Sequence, residues 1–149
     1  MTWGDGRQRT EGGGRKENGE NPMKIQSATE LEVYRQGYQL AMEIFQIRRG
    51  FPREEIFSLT SQIRRASRSV CQNLREAWSK RRYEAHFVSK LTDCDGENAE
   101  TETLLAFAHD CGYLDARTFQ QLTDANRSIG RMLGSMLKDP APFLFKPTH

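Results

Sequence analysis

The chain has 149 residues, 36% of them hydrophobic and 28% charged, with a formal net charge of +2 at pH 7. That length suits one domain with a real core, and the polar balance suits a small helical bundle whose helices each show water a wide face. No run of about 18 apolar residues occurs, so no membrane span is expected, and the N-terminus lacks the apolar core of a secretory signal.

Residues 1–26 are rich in Gly, Asn, Glu, Lys and Arg, with Trp3, Met23 and Ile25 as the sizeable apolar side chains. Such a segment buries too little to offset its chain entropy and reads as a disordered extension. A bundle domain is expected over 27–139, followed by a Pro-rich tail over 140–149. The first helix is predicted over 29–49, with Thr29 and Glu32 spaced as a capping box. Tyr34, Tyr38, Ala41, Phe45 and Arg48 fall on one stripe, widened by Val33, Leu40, Ile44 and Ile47. That width implies more than one packing neighbour. Gly50 and Phe51-Pro52 end the helix.

The second helix is predicted over 53–79, with Pro52 and the Glu54-Glu55 pair suited to a positive helix start. Ile56, Leu59, Ile63, Ala66, Val70, Leu74 and Ala77 form its apolar stripe. At 100° per residue, Arg64, Arg68, Arg75 and Arg82 line up about 100–140° from the centre of that stripe. They make a ladder beside the core. Lys80-Arg81-Arg82 forms a basic turn.

The third helix is predicted over 83–111. Its stripe is Tyr83, Phe87, Leu91, Cys94, Asn98, Thr101, Leu105 and Ala108. Its middle is polar, and Gly96, Asn98 and Thr101 weaken the inner face. Those groups need partners, because an unpaired buried polar group is costly. Gly112 stops the helix. The fourth is predicted over 115–138, with Asp115 as N-cap and Phe119, Leu122, Ile129, Leu133 and Met136 facing inward, interrupted by Asn126. The apolar run Phe143-Leu144-Phe145 either folds back on the bundle or docks on another subunit. With no strand pattern or repeat, the expected class is all-α, an antiparallel up-down-up-down four-helix bundle.

Two successive segments differ sharply in charge. Residues 53–82 carry eight Lys/Arg against three Glu, about +5; residues 83–111 carry one Lys against seven Asp/Glu, about −6. Side by side, they clip a bundle together, join subunits, or display one face to a polyanion.

The run Leu59-x-x-Gln62-x-Arg64-Arg65-Ala66-x-x-Ser69-x-x-x-Asn73-Leu74-x-Glu76 carries specific polar identities as well as the apolar period. With Phe51-Pro52-x-Glu54-Glu55, Gly96-x-x-x-Glu100-x-Glu102 and Gly112-Tyr113-Leu114, it resembles the bacterial four-helix-bundle family known as the S23 ribosomal protein or 23S rRNA intervening-sequence protein family. The likeness spans about Leu31 to Leu137. It implies a left-handed bundle assembled as a homopentamer. The family is also similar to the accessory variability proteins of diversity-generating retroelements, whose basic surface contacts a reverse transcriptase and nucleic acid. Cys71 stands where many members have Pro, and Ala77 where many have Gly, so the second helix is expected to be straighter and to run further.

Two readings of the arginine ladder stay open. In one, Arg64, Arg68, Arg75, Lys80, Arg81 and Arg82 bind phosphates of RNA or DNA, since the planar guanidinium fork matches phosphate oxygens. In the other, which suits most of them, they pair with Asp93, Asp95, Glu97, Glu100 and Glu102 of the third helix, within or between subunits. Lys80, Arg81 and Arg82 have no obvious acidic neighbours and are the better phosphate candidates. Gln62, Asn73, Glu76, Asn98 and Glu100 are read as a polar network near the core or a subunit interface. Glu76 with Glu100 makes a poor catalytic pair, with nothing supplying a nucleophile, metal or pocket.

His86, His109, Cys94 and Cys111 are too scattered for a metal site, and no cofactor is expected. Cys71, Cys94 and Cys111 are odd in number and far apart, reduced thiols of a cytoplasmic protein rather than a disulfide framework. Function is therefore read as a non-enzymatic oligomeric adaptor whose basic surface binds structured RNA or a nucleic-acid-handling partner such as a reverse transcriptase. The alternative is a structural or protein-interaction module whose charges pair across subunit interfaces.

Overall fold

Four helices dominate the residues that this computed structural model describes, 25–147. They are α1 (Glu32–Ile47), α2 (Ser61–Ser79), α3 (Glu84–Asp110) and α4 (Ala116–Lys138), with no strand among the described residues. Each helix packs on its chain neighbours, and α1 closes the ring on α4. Cross-helix bonds fix the directions. The Cys71 thiol donates to the Tyr34 carbonyl between α2 and α1, and the Cys94 thiol to the Val70 carbonyl between α3 and α2. Asn98 of α3 meets Asn126 of α4. A second contact in each pair runs the other way along the chain: Phe45 of α1 meets Arg64 of α2, Glu76 and Arg65 of α2 meet Lys90 and Glu100 of α3, and His109 of α3 meets Phe119 of α4. Early residues of one helix thus meet late residues of the next, the up-down-up-down arrangement implied by the periodicity.

The disorder expected for residues 1–26 lies outside the described residues except at Ile25 and Gln26. There it does not hold: Ile25 packs on the core, and the Gln26 N–H donates to Glu30 at 3.3 Å. Thr29 is also not the N-cap that the capping-box spacing predicts. Ser27 accepts from the Thr29 N–H and opens a short 3₁₀ turn, Ala28–Glu30, and extended Leu31 separates that turn from α1. Leu31 is buried, so seating its side chain decides where the chain bends. Glu32 accepts from Arg35 and Gln36 of the next turn.

The segment before α2 departs furthest from expectation. The helix predicted from residue 53 is broken into a 3₁₀ turn, Arg53–Glu55, and a wide turn, Ile56–Thr60, with Ser58 in non-helical geometry. Glu55 holds the break. Its carboxylate accepts from the Leu59 N–H at 3.2 Å, the Ser58 hydroxyl at 3.0 Å and the Tyr113 hydroxyl at 2.9 Å. These donors hold its carboxyl below the usual range, Tyr113 foremost. The break turns Ile56 outward and leaves Phe57 93% exposed, while Leu59 to Ala77 keep the expected buried face. Beyond Ser58, α2 runs uninterrupted to Ser79 past Cys71 and Ala77.

The end of α3 follows the sequence closely. Gly112 takes a left-handed φ of 85°, the Tyr113 N–H donates to the Ala108 carbonyl at 2.8 Å, and the Gly112 N–H donates to the His109 carbonyl at 2.9 Å. This is the Schellman pattern that glycine permits. Asp115 caps α4 by accepting from the Thr118 N–H at 2.7 Å. After α4 the tail folds back: Phe143 and Leu144 pack against the core, and the Phe145 N–H donates to the Arg81 carbonyl at 3.0 Å.

Candidate nucleic-acid interface

The period of α2 buries Ile63, Ala66, Val70 and Leu74 and therefore carries Arg64, Arg68 and Arg75 to one edge of the helix. The neighbour on that edge is α1, not the acidic α3. Phe45 of α1 meets the arginines there. The guanidinium carbons of Arg48, Arg64 and Arg68 lie 4.0, 5.3 and 5.8 Å from its ring centroid. A ring face attracts each cation, which lets three like charges share one site. Burial, with the charges of Arg68 and Arg48 after it, lowers the Arg64 pKa, though a guanidinium stays protonated at neutral pH.

From this cluster a groove of about 620 Å³ runs between α1 and α2. Tyr34, Tyr38 and Met42 form one wall and Arg68, Gln72 and Arg75 the other. Tyr34 and Tyr38 stack at 6.2 Å, and Tyr38 is 56% exposed. A smaller hollow of about 300 Å³ adjoins it between Ser61, Arg64, Arg68 and Gln72. The two helices approach closely at Gly37, where a Cβ would stand 3.4 Å from Val70 and 3.5 Å from Cys71. The groove is thus a shallow trough with a floor of small residues, aromatic rings on one side and guanidinium groups on the other.

The basic turn lies at the far end of α2. Arg81 sits 4.2 Å from the Trp78 ring and Arg82 4.6 Å from the Phe145 ring. Arg81 therefore rests on a ring of α2 itself and Arg82 on a ring of the folded tail, with Arg82 and Lys80 still exposed.

The expected pairing of the ladder with α3 is not what forms within the subunit. The cross-helix bridges use Arg65, outside the candidate set, which reaches Glu100 at 3.2 Å and Glu97 at 3.8 Å. Glu102 pairs with Arg127 of α4 at 3.0 Å, and Lys90 of α3 pairs with Glu76 at 2.9 Å and Asp93 at 3.4 Å. Among the described residues no ion pair involves Arg64, Arg68, Arg75, Lys80, Arg81 or Arg82. Helical phase places the ladder beside the core, and the handed order of the ring places α1 on that side.

A family model described as 23S rRNA-intervening sequence protein matches residues 29–135. The chain belongs to that family. A crystal structure of a protein of unknown function from the S23 ribosomal protein family, from Bacteroides thetaiotaomicron VPI-5482, superposes with a TM-score of 0.64 at 25% identity. The match covers 71% of this chain and 95% of that one. No curated protein matches.

In this member of the 23S rRNA-intervening sequence protein family, the polar residues grouped as one network are three separate devices. Asn98 and Asn126 form the buried one: the Asn98 amide donates to the Asn126 carbonyl at 3.2 Å, and the Asn126 amide donates to the Asn98 carbonyl at 2.9 Å. Gly130 makes room for it, since a Cβ there would lie 2.9 Å from the Asn98 amide nitrogen. Glu76 and Glu100 serve the surface bridges to Lys90 and Arg65. Asn73 donates to the Ser69 carbonyl within its own helix, and Gln62 is exposed. Gly96 lies on the outer face of α3, not the inner one. No group of three His, Cys, Asp or Glu among the described residues is placed to hold a metal, and no described helix is long and apolar enough to cross a membrane. Phe45 and Arg48 were missing from the candidate set. Their signal was an aromatic stripe ending in arginine, which marks a helix edge rather than a core face.

Proposed function

We propose that this chain is a non-enzymatic adaptor that binds structured RNA along the α1–α2 groove. Arg48, Arg64, Arg68 and Arg75 contact phosphates, and Tyr34 and Tyr38 offer faces to unpaired bases. The observation that carries this reading is four guanidinium groups along an open aromatic groove with no ion pair to any carboxylate among the described residues. Phosphate binding supplies the missing counter-charge, and stacking on tyrosine tolerates any base. Lys80, Arg81 and Arg82 extend the basic line past Arg75. Membership of a family named for an rRNA insertion supports the same direction. The setting proposed is cytoplasmic, and the working form a homopentamer that repeats the groove around its axis. A reverse-transcriptase-like protein carrying bound RNA is a further partner consistent with the surface.

Filter binding of a structured RNA across a salt series tests the proposal. Four phosphate contacts predict a log–log salt slope of about −3 to −4. Arg64→Ala with Arg68→Ala is expected to flatten that slope and weaken binding at least about tenfold at low salt. Undetectable binding at low salt refutes it. The second reading, a protein-interaction module, draws on Phe57 at 93% exposure and exposed Ile56 and Phe107. Under that reading the arginine pair change alters sedimentation or light scattering and leaves RNA retention unchanged.

A further inference from the structure

The arginines are not evenly spread along the groove. Three of them converge at one end, around one ring, while Arg75 stands alone further on. That crowded end is also the end at which the chain turns from α1 into α2. α1 and α2 are consecutive in the chain, so their connection, residues 48–60, crosses where Arg48 and Arg64 lie. The Nε of Arg64 is buried there with no hydrogen-bond partner. The hydroxyl of Ser61 and the amide of Gln72 line the same hollow.

The charges there exceed what an internal phosphodiester needs. A diester linkage carries one negative charge, whereas a terminal phosphomonoester carries about −1.5 to −2 near pH 7 and offers three acceptor oxygens. Three forks with no carboxylate partner among the described residues, gathered around one ring, match the second ligand. We propose that the Arg48–Arg64–Arg68 cluster around Phe45 is a receptor for the terminal phosphomonoester of an RNA strand, so that the protein recognises strand ends. The inference rests on the groove reading and adds end selectivity to it.

The test uses the full chain and one labelled RNA oligonucleotide in three forms: 5′-phosphorylated, 3′-phosphorylated, and hydroxyl at both ends. One phosphorylated form is expected to bind about tenfold more tightly than the hydroxyl form, and which one identifies the strand polarity in the groove. Arg64→Lys keeps the charge but loses the fork, and is expected to erase that preference while general binding persists. Arg131→Ala, on α4 and outside both hollows, is expected to retain it. Inorganic phosphate is expected to raise the melting temperature of the native chain and not that of an Arg48→Met/Arg64→Met variant, a readout free of RNA. Equal affinity for all three forms overturns the end-selective inference and leaves the groove reading standing. Absence of binding to any form overturns both.

Discussion

Two glycines on facing helices are expected to respond to alanine with opposite signs. Gly96 lies on the outer face of α3, where a Cβ meets nothing within 4 Å. Gly96→Ala therefore returns only the helix-propensity difference, a gain of about 1 kcal/mol. Gly130 of α4 has the same propensity term, but its Cβ would lie 2.9 Å from the Asn98 amide nitrogen. That nitrogen belongs to a buried side chain bonded to the Asn126 carbonyl at 3.2 Å, so it has little freedom to move aside. Overpacking costs about 1–3 kcal/mol and a weakened buried bond about 1 kcal/mol. The net expected for Gly130→Ala is a loss of about 1–3 kcal/mol. Urea unfolding at fixed protein concentration reads both, as opposite shifts of midpoint at unchanged slope. The cycle closes with Asn98→Ala, which removes the obstructing atom: in that background Gly130→Ala is expected to be neutral or stabilising. If Gly130→Ala matches Gly96→Ala in the native background, the reasoning about the Asn98–Asn126 contact is wrong.

Glu55 has a carboxyl held below its ordinary 4.5, so its contribution is present above that pH and is lost as pH falls through the lowered value. Acid titration of stability is expected to be flatter below about pH 4.5 in Glu55→Gln than in the native chain, by circular dichroism. Glu43 is the reverse case: its Oε1 is buried without a partner, and burial raises its pKa, so the charged form opposes folding as pH rises through that value. Glu43→Gln is expected to raise the urea midpoint at pH 7.5 and to change little at pH 4. Burial pushes the Cys71 thiol up to about 12 and the Cys94 thiol upward too, while Cys111 is exposed. A thiol-reactive chromophore at pH 8 is expected to label Cys111 rapidly and the other two only after unfolding; fast labelling of Cys94 in the native state contradicts the packing.

Much of the bundle was legible because helical period and punctuation agree. Gly112 and Asp115 mark their helix ends by chemistry that acts locally. The faces of α2 from Leu59 onward, of α3 and of α4 were readable for the same reason. The turn at Ile56–Thr60 was not, since Ile56 and Leu59 keep helical spacing whether or not the backbone slips between them. The slip is held by Tyr113, 58 positions away from Glu55, and no local pattern reports so distant a bond. The arginine ladder was visible as a line, but spacing gives an angle from the core and not the neighbour at that angle. Charge complementarity pointed to α3; the order of helices around the ring gives the ladder to α1 and only Arg65 to α3. Asn98 and Asn126 each stood out as an interruption, and nothing in either helix alone says that the two interruptions meet.

The folded tail has a mechanical consequence. Four rods joined only along their sides can rack, as an unbraced square leans into a rhombus. Here the chain leaving α4 passes across the end plane to the corner between α2 and α3, where Phe145 is tied to Arg81 and lies over Arg82. That strut links α4 to the corner diagonal from it, and it stiffens the frame against the one distortion that side-by-side packing resists least.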